Sequence, residues 1–175
     1  MGQKGGIGER EVATIIANWW DQYEPGMEFV RTPKSGGWGA AASFKATGDL
    51  MTTSTIFPFD VEVKRREKTW SLPMILTGKG KAFEWWIQCQ TSALKSNREP
   101  MLWMRKNRQP WWIMLRRGFL FDSKGEWKWW VKDLGLVEIP RSVLLAVQYG
   151  KHEPILMEAQ SFLKNVHPST LVEAV

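Results

Sequence analysis

The sequence predicts an α/β protein in which helices flank a central mixed β-sheet. Helical and strand-like hydrophobic patterns alternate along the chain, in the order helix, strands, helix, strands, which is typical of this class. One strand pattern, at residues 59–64, alternates strictly between apolar and polar side chains. The chain has 175 residues, enough for one domain with its own core.

The first helix is predicted over residues 9–23. Its apolar side chains recur at positions i, i+3, i+4 and i+7, namely Val12, Ile15, Ile16 and Trp19. Pro25 and Gly26 predict its end. A short strand follows at residues 29–30, and then a loop at residues 31–42 that contains a Ser-Gly-Gly segment.

Two strands come next, a short one around Asp49 and the alternating one at residues 59–64. Phe59, Val61 and Val63 point to one face of the second strand, and Asp60, Glu62 and Lys64 point to the other. We interpret this pattern as a surface strand with a polar outer face. An antiparallel hairpin between the two strands would place Asp49 beside Glu62.

The second half of the chain begins with a helix at residues 81–95. One side of this helix is predicted to hold Phe83, Trp86, Ile87, Gln90 and Leu94. The patterns beyond it predict strands at 100–104 and 111–115 joined by a basic turn, a hairpin at 119–130, a strand at 144–149 and a helix at 158–164.

The positive charge of the chain is concentrated in one segment, residues 95–117. This segment holds seven bases and one acid, Glu99, so its excess equals the net charge of +6 of the whole chain. Aromatic residues lie among the bases, and the chain has 12 tryptophans. Such a block suggests a nucleic-acid backbone as partner, although a solvated basic face is an equally good interpretation.

Several classes of site and location are disfavoured by composition. The single cysteine, Cys89, forms no internal disulfide, and with two histidines a His/Cys zinc site is out of reach. The uncharged runs are far shorter than the roughly 20 residues of a transmembrane helix. The charged, Gly-rich start does not resemble a signal peptide. We therefore expect a cytoplasmic protein without a membrane partner.

Asp49, Glu62 and Lys64 form the constellation with the clearest chemical meaning. Glu62 and Lys64 are two residues apart on a strand and share a face. Two neighbouring carboxylates repel unless a cation lies between them, and Mg²⁺ suits such an oxygen site. Lys64 could then orient a metal-bound water or neutralise phosphate charge. The alternatives are a surface ion pair between Glu62 and Lys64 and a turn role for Asp49.

Several segments of the chain also occur in a characteristic order. They are Lys4-Gly5-Gly6-Ile7-Gly8-Glu9-Arg10-Glu11, Phe29-Val30-Arg31, Ser35-Gly36-Gly37, Gly48-Asp49-Leu50, Val61-Glu62-Val63-Lys64, Trp85-Trp86-Ile87-Gln88 and Asn107-Arg108-Gln109-Pro110-Trp111. In this order they resemble the PD-(D/E)XK nuclease superfamily, and within it the archaeal-type Holliday junction resolvases and their phage relatives. The resemblance covers residues 4–115.

The resemblance implies a role for each matching residue of the site. Asp49, Glu62 and the backbone carbonyl of Val63 would be metal ligands, with Mg²⁺ as the metal and Mn²⁺ as a substitute. Lys64 would be the catalytic lysine. Glu9 would complete the metal site directly or through water, although an acid near a helix N-terminus is also a common surface feature.

Further residues are expected to contact DNA. They are Lys4, Arg10, Arg31, Ser35, Gln88, Arg105, Lys106 and Arg108. Two glutamines compete for the place near the site, since the apolar periodicity favours Gln90 and the Trp-Trp-x-Gln match favours Gln88.

The resemblance also implies a restriction-endonuclease-like core, which we place at residues 1–140. Residues 141–175 would be an extension that packs on the same domain or on a dimer partner. The implied function is a Mg²⁺-dependent endonuclease that resolves four-way DNA junctions as a homodimer, in a host cytoplasm if the chain is phage-encoded. The rivals are another nuclease of the superfamily, acting in restriction, recombination or repair, and a non-catalytic nucleic-acid-binding module.

Overall fold

The computed structural model describes residues 3–33, 45–66, 68–120, 128, 137–138 and 154–172. The helices are α1 (Gln3–Trp20), α2 (Leu72–Leu76), α3 (Ala82–Ser96), α4 (Arg117–Leu120), α5 (Ala159–Asn165) and α6 (Pro168–Val172). The strands are β1 (Phe29–Arg31), β2 (Lys45–Thr47), β3 (Leu50–Thr52), β4 (Phe59–Arg65), β5 (Glu99–Arg105), β6 (Trp112–Arg116), β7 (Val137–Glu138) and β8 (Pro154–Glu158).

The main sheet has five strands in the order β4-β5-β6-β8-β7. Strands β4 and β5 are parallel, and the other neighbours are antiparallel. Parallel neighbours need a crossover connection, and α3 lies within it. A smaller antiparallel sheet, β1-β3-β2, lies beside β4. The predicted α/β class with a mixed sheet and flanking helices is confirmed.

Both faces of the main sheet are buried. Along β5, Met101 and Trp103 belong to the cluster that α1 and α5 complete, whereas Leu102 and Met104 belong to the cluster that α3 completes. This division follows from the period-two alternation of a strand between two covered faces. None of the described helices combines the length and the apolar character that a membrane span requires.

Helix α1 begins six residues before the predicted start and ends three residues before the predicted end. Its apolar stripe is confirmed, since Val12 and Ile16 are fully buried and Trp19 is nearly so. The early start was not predicted because glycine disfavours helix by about 1 kcal/mol. Tertiary contacts explain it: a Cβ on Gly8 would lie 3.2 Å from the Cβ of Arg65, so this turn of α1 packs closely on β4.

Strand β4 lies where it was predicted, but it is not a surface strand. Asp60 and Glu62 are only 1% and 5% exposed. The polar face lies under α3, to which Asp60 and Glu62 are joined by side-chain hydrogen bonds. Alternation shows that two faces differ in polarity, and here the polar face meets a helix rather than water.

The predicted antiparallel hairpin between the Asp49 strand and β4 is wrong. Asp49 lies in the short turn between β2 and β3, which pair with each other. The turn reaches β4 through a parallel bridge between Gly48 and Val61. Asp49 is therefore next to the strand that carries Glu62, but by a different route from the predicted one.

Helix α3 matches its prediction within one residue at each end, but its buried side was partly mispredicted. Ile87 is 52% and Leu94 is 80% exposed. The buried residues are Ala82, Phe83, Trp86, Cys89 and Ala93. Small side chains at Cys89 and Ala93 let the helix approach the sheet, and this choice of side does not follow from hydrophobicity alone.

The hairpin of β5 and β6 is confirmed, and so is the helix predicted at 158–164, which is α5. The predicted hairpin at 119–130 is wrong at its start, since α4 includes Phe119 and Leu120. Of its remainder, Lys128 is described, and its N–H donates to the Leu120 carbonyl at 3.0 Å, whereas the strand predicted at 144–149 falls outside the described residues. Strand β8 was not predicted. Phe162, Val166 and Leu171 join the same core as α1, while a boundary at residue 140 stays a prediction.

Candidate functional site

Asp49 is held against the backbone of β4 by its own N–H and by its side-chain carboxylate. Its N–H donates to the Val61 carbonyl at 2.7 Å, and its Oδ2 accepts from the Val63 N–H at 2.9 Å. Gly48 makes this approach possible. It has a φ of 71°, and a Cβ there would lie 2.5 Å from the Val61 oxygen. Only glycine fits such a position without strain.

Glu62 is the buried centre of the site. Its Oε1 accepts from the Lys64 ammonium group, with which it forms an ion pair, and from Gln88 Nε2 at 3.0 Å. Burial raises the pKa of Glu62, and the neighbouring Asp49 carboxylate raises it further. Two acids that disfavour each other's charge in a buried place are the arrangement that a bound cation relieves.

The two candidate glutamines of α3 are clearly separated. Gln88 contacts Glu62, whereas no contact of Gln90 with the site is seen among the described residues. The Trp-Trp-x-Gln match therefore located the contact, and the apolar periodicity did not. By this bond, α3 fixes the direction in which the Glu62 carboxylate points.

Glu9 is buried, at 5% exposure, so it is not a surface acid of the helix N-terminus. It forms an ion pair with Arg31 of β1. The described residues contain no group of three or more Asp, Glu, His or Cys side chains suited to one metal. In this arrangement Glu9 is thus engaged by Arg31 rather than gathered with Asp49 and Glu62.

The predicted DNA-contacting residues differ in how free they are. Arg10 and Arg108 are exposed, and Lys106 is half-buried. Arg105 is bound by Glu11 through two contacts of 2.6 Å and lies over the Trp111 ring, 4.6 Å from its centre. Its guanidinium group therefore holds α1 on β5, and a DNA contact of Arg105 stays a prediction.

Two of the predicted contacts cannot be compared with the structure. The side chain of Lys4 and the whole of Ser35 lie outside the described part of the chain. Arg31 is described, and its side chain is 29% exposed while its partner Glu9 is enclosed. The cationic end of this pair is thus the one that solvent and ligands can reach.

Asp60 is a buried acid near the site that is not among the residues predicted from the sequence. Its Oδ2 accepts from Ser96 Oγ at 2.9 Å, and burial raises the pKa of its carboxyl group. The strand alternation was the available signal, because it places Asp60 on the same face as Glu62. That face was interpreted as solvent-exposed, so Asp60 was passed over.

The donor set of the site fits a hard divalent cation. Asp49 and Glu62 offer carboxylate oxygens, and Val63 lies between Glu62 and Lys64 with its carbonyl as a third candidate donor. Oxygen ligands of this kind suit Mg²⁺ or Mn²⁺, and Mg²⁺ keeps several waters when it binds one or two carboxylates. Lys64 supplies the positive charge beside the ligands.

A mixed α/β sheet that carries this acid-acid-lysine set defines a nuclease of the PD-(D/E)XK class. A family model described as phage putative PDDEXK endonuclease matches residues 2–131, so the chain belongs to that family. It is thus an endonuclease of a class that uses divalent metals. Asp49, Glu62 and Lys64 all lie within the matched range.

The chain also matches the solved structure of Hjc, a Holliday junction resolvase from the archaeal hyperthermophile Archaeoglobus fulgidus. The two chains share 11% identity, and the match covers 91% of this chain and 94% of that one with a TM-score of 0.33. No curated protein matches this chain.

Proposed function

We propose that this endonuclease is Mg²⁺-dependent and structure-specific, and that it resolves four-way DNA junctions as a homodimer. The observation that carries the nuclease chemistry is the buried Glu62, which faces Asp49 and is bonded by Lys64 and Gln88. The order of segments along residues 4–115, which resembles the archaeal-type resolvases, supports the junction as substrate.

The residues divide the chemical work among them. Asp49, Glu62 and the Val63 carbonyl would hold the cation. When bound, Mg²⁺ polarises a phosphoryl oxygen and acidifies a water molecule. Lys64 is placed to orient the attacking water and to offset charge on the phosphate. Gln88 keeps the Glu62 carboxylate in its ligating direction through the 3.0 Å hydrogen bond.

The substrate geometry follows from symmetry. Two active sites related by a two-fold axis match the two opposing strands of a four-way junction. A linear duplex must bend to reach both sites, at a cost of about 1–6 kcal/mol. The exposed bases Arg10 and Arg108 and the half-buried Lys106 supply phosphate contacts. In a phage infection this substrate lies in the host cytoplasm.

The test is cleavage of a panel of four-way, flap, splayed and linear duplex DNAs in Mg²⁺, with each strand labelled in turn. We expect paired cuts at symmetric positions near the crossover, and a preference for the junction over its arms of about tenfold, which is about 1.4 kcal/mol. Light scattering should report a dimer. A monomer, or equal rates on junction and duplex, would instead favour a superfamily nuclease with another DNA target.

A further inference from the structure

Asp60 lies next to the proposed metal site, although it is not one of the expected ligands. It is two residues before Glu62 on the same face of β4 and is 1% exposed. Its Oδ2 accepts from Ser96 near the end of α3. Within the described part of the chain, its buried Oδ1 has no hydrogen-bond partner within normal distance, although the Ser92 hydroxyl and the Arg98 guanidinium group lie near enough to lower the pKa of Asp60. A buried carboxylate oxygen without a hydrogen-bond donor lowers the stability of the fold, so Asp60 is expected to have a function that offsets this cost.

The unpartnered oxygen points at the turn that holds Asp49. A Cβ added to Gly48 would lie 2.6 Å from Asp60 Oδ1, so this oxygen packs against the backbone one residue before the ligand. The charge of Asp60 is also close enough to act on both Asp49 and Glu62. Asp60 is thus at the junction of α3, β4 and the Gly48–Asp49 turn.

We propose that Asp60 is a positioning residue that sets the affinity of the site for its divalent cation. This inference rests on the metal site of the proposed function. The buried carboxylate adds a third negative charge next to the two ligand carboxylates, and charges interact strongly in a poorly solvated place. Ser96 anchors one oxygen so that the other stays against the Gly48–Asp49 turn and keeps Asp49 in its ligating position.

The decisive variant is Asp60→Asn, which keeps the shape of the side chain and removes its charge. We expect its dissociation constant for Mn²⁺, measured by calorimetry without DNA at pH 8, to rise about tenfold. The Mg²⁺ concentration that gives half-maximal cleavage should rise in parallel. The rate at saturating Mg²⁺ should stay within about threefold of the wild type, because the chemical step uses other residues.

Two further variants test the role of the Ser96 hydrogen bond and provide a control. Ser96→Ala removes the anchor without changing the charge, and it should weaken Mn²⁺ binding in the same direction by a smaller factor. It also keeps the test open if Asp60→Asn fails to fold. Glu99→Gln is the matched control, because it removes a carboxylate from the adjoining strand β5 that pairs with Arg116 away from the site. Its Mn²⁺ affinity should equal that of the wild type.

The outcomes separate this inference from the proposed function. Equal Mn²⁺ affinity of Asp60→Asn and wild type would overturn the inference. An unchanged affinity with a lost maximal rate would also overturn it, since Asp60 would then act in the chemical step. Weakened Mn²⁺ binding in a protein that cuts no DNA would uphold the role of Asp60 and refute the nuclease proposal.

Discussion

The polar face of β4 and the basic segment 95–117 are both rich in charged residues, but the charges that neighbour one another differ between the two regions. On β4, the acids Asp60 and Glu62 are buried next to Asp49, so three acids lie close together with Lys64 as the ion-pair partner of Glu62. In the basic segment, Arg105 pairs with Glu11 and Arg116 pairs with Glu99. Opposite charges commonly pair where elements pack, whereas buried groups of like charge cluster at functional sites.

This difference changes how the net charge is interpreted. The segment 95–117 contains the whole excess of +6, but at least two of its seven bases, Arg105 and Arg116, are paired with acids in the described part of the chain. Its exposed members include Lys95 and Arg108. The surface that DNA can meet is therefore narrower than the sequence count suggests.

The largest effect is expected from Glu62→Gln on the β4 side. The variant keeps the shape of the side chain but loses the ligating charge, so cleavage should fall by about a thousandfold or more. DNA binding, measured by fluorescence anisotropy, should change little.

Asp49→Asn and Lys64→Ala should behave like Glu62→Gln, and Ca²⁺ should support DNA binding without cleavage. Full activity of Glu62→Gln would refute the site assignment, and Glu84→Gln on the exposed face of α3 is the control.

A second prediction concerns the turn that brings Asp49 to β4. Gly48→Ala adds a Cβ at positive φ that meets the Val61 carbonyl at 2.5 Å. We expect a loss of about 1–3 kcal/mol in unfolding free energy and a strong loss of cleavage. Gly26→Ala is a matched control, with φ of 77° and nothing within 4 Å of the added Cβ. Equal losses of stability and activity in the two variants would show that Asp49 does not depend on this close approach.

On the basic side, the prediction is that paired and exposed bases behave differently. Arg108→Ala should weaken binding to every DNA form and lower the slope of log affinity against log salt by about one unit. Arg105→Ala should leave that slope unchanged and lower the melting temperature instead, because it breaks the contacts with Glu11 and Trp111. Identical salt slopes for the wild type and Arg108→Ala would mean that this turn does not touch DNA.

The smallest expected effect is on the pH dependence of the melting temperature of the metal-free protein. Burial and Asp49 raise the pKa of Glu62 in the folded protein. Protonated Glu62 therefore favours the folded state at low pH, and this contribution to the unfolding free energy is lost as pH rises through the raised pKa. Glu62→Gln removes this loss. Its melting temperature should exceed that of the wild type by a few degrees at pH 8, and the gap should narrow towards pH 4.

The paired acid Glu11 provides the contrast for this measurement. Glu11→Gln weakens its two contacts with Arg105, so it should lower the melting temperature across the same pH range. If both variants melted below the wild type at pH 8, the like charges of the β4 side would not carry the cost that we infer.

Much of the fold could be predicted from periodicity. The stripe of α1, strand β4, helix α3 and the β5–β6 hairpin are long or strongly patterned, so local sequence suffices. Periodicity does not say what covers a face, and for that reason the burial of Asp60 and Glu62 was missed. Strand β8 was missed because it begins at Pro154 and is buried on both faces, so its apolar run shows no alternation.

The site was predicted in part. Asp49, Glu62 and Lys64 were selected from charge and spacing, and the structure brings them to one edge of the sheet. The pairing of Arg105 with Glu11 joins residues 94 positions apart, and no local pattern encodes it. The same holds for the pair of Glu9 and Arg31, since each partner was expected to contact a ligand instead.

The position of β8 within the sheet limits where the chain can be truncated. Residues 154–158 pair with β6 on one side and β7 on the other, yet they lie beyond the family-matched residues 2–131. A fragment cut at residue 131 would leave the backbone of β6 unpaired along Ile113, Met114 and Leu115. Such an apolar open edge recruits other chains. A nascent chain on the ribosome faces the same hazard until β8 emerges, so solubility on expression depends on a strand far from the chemistry.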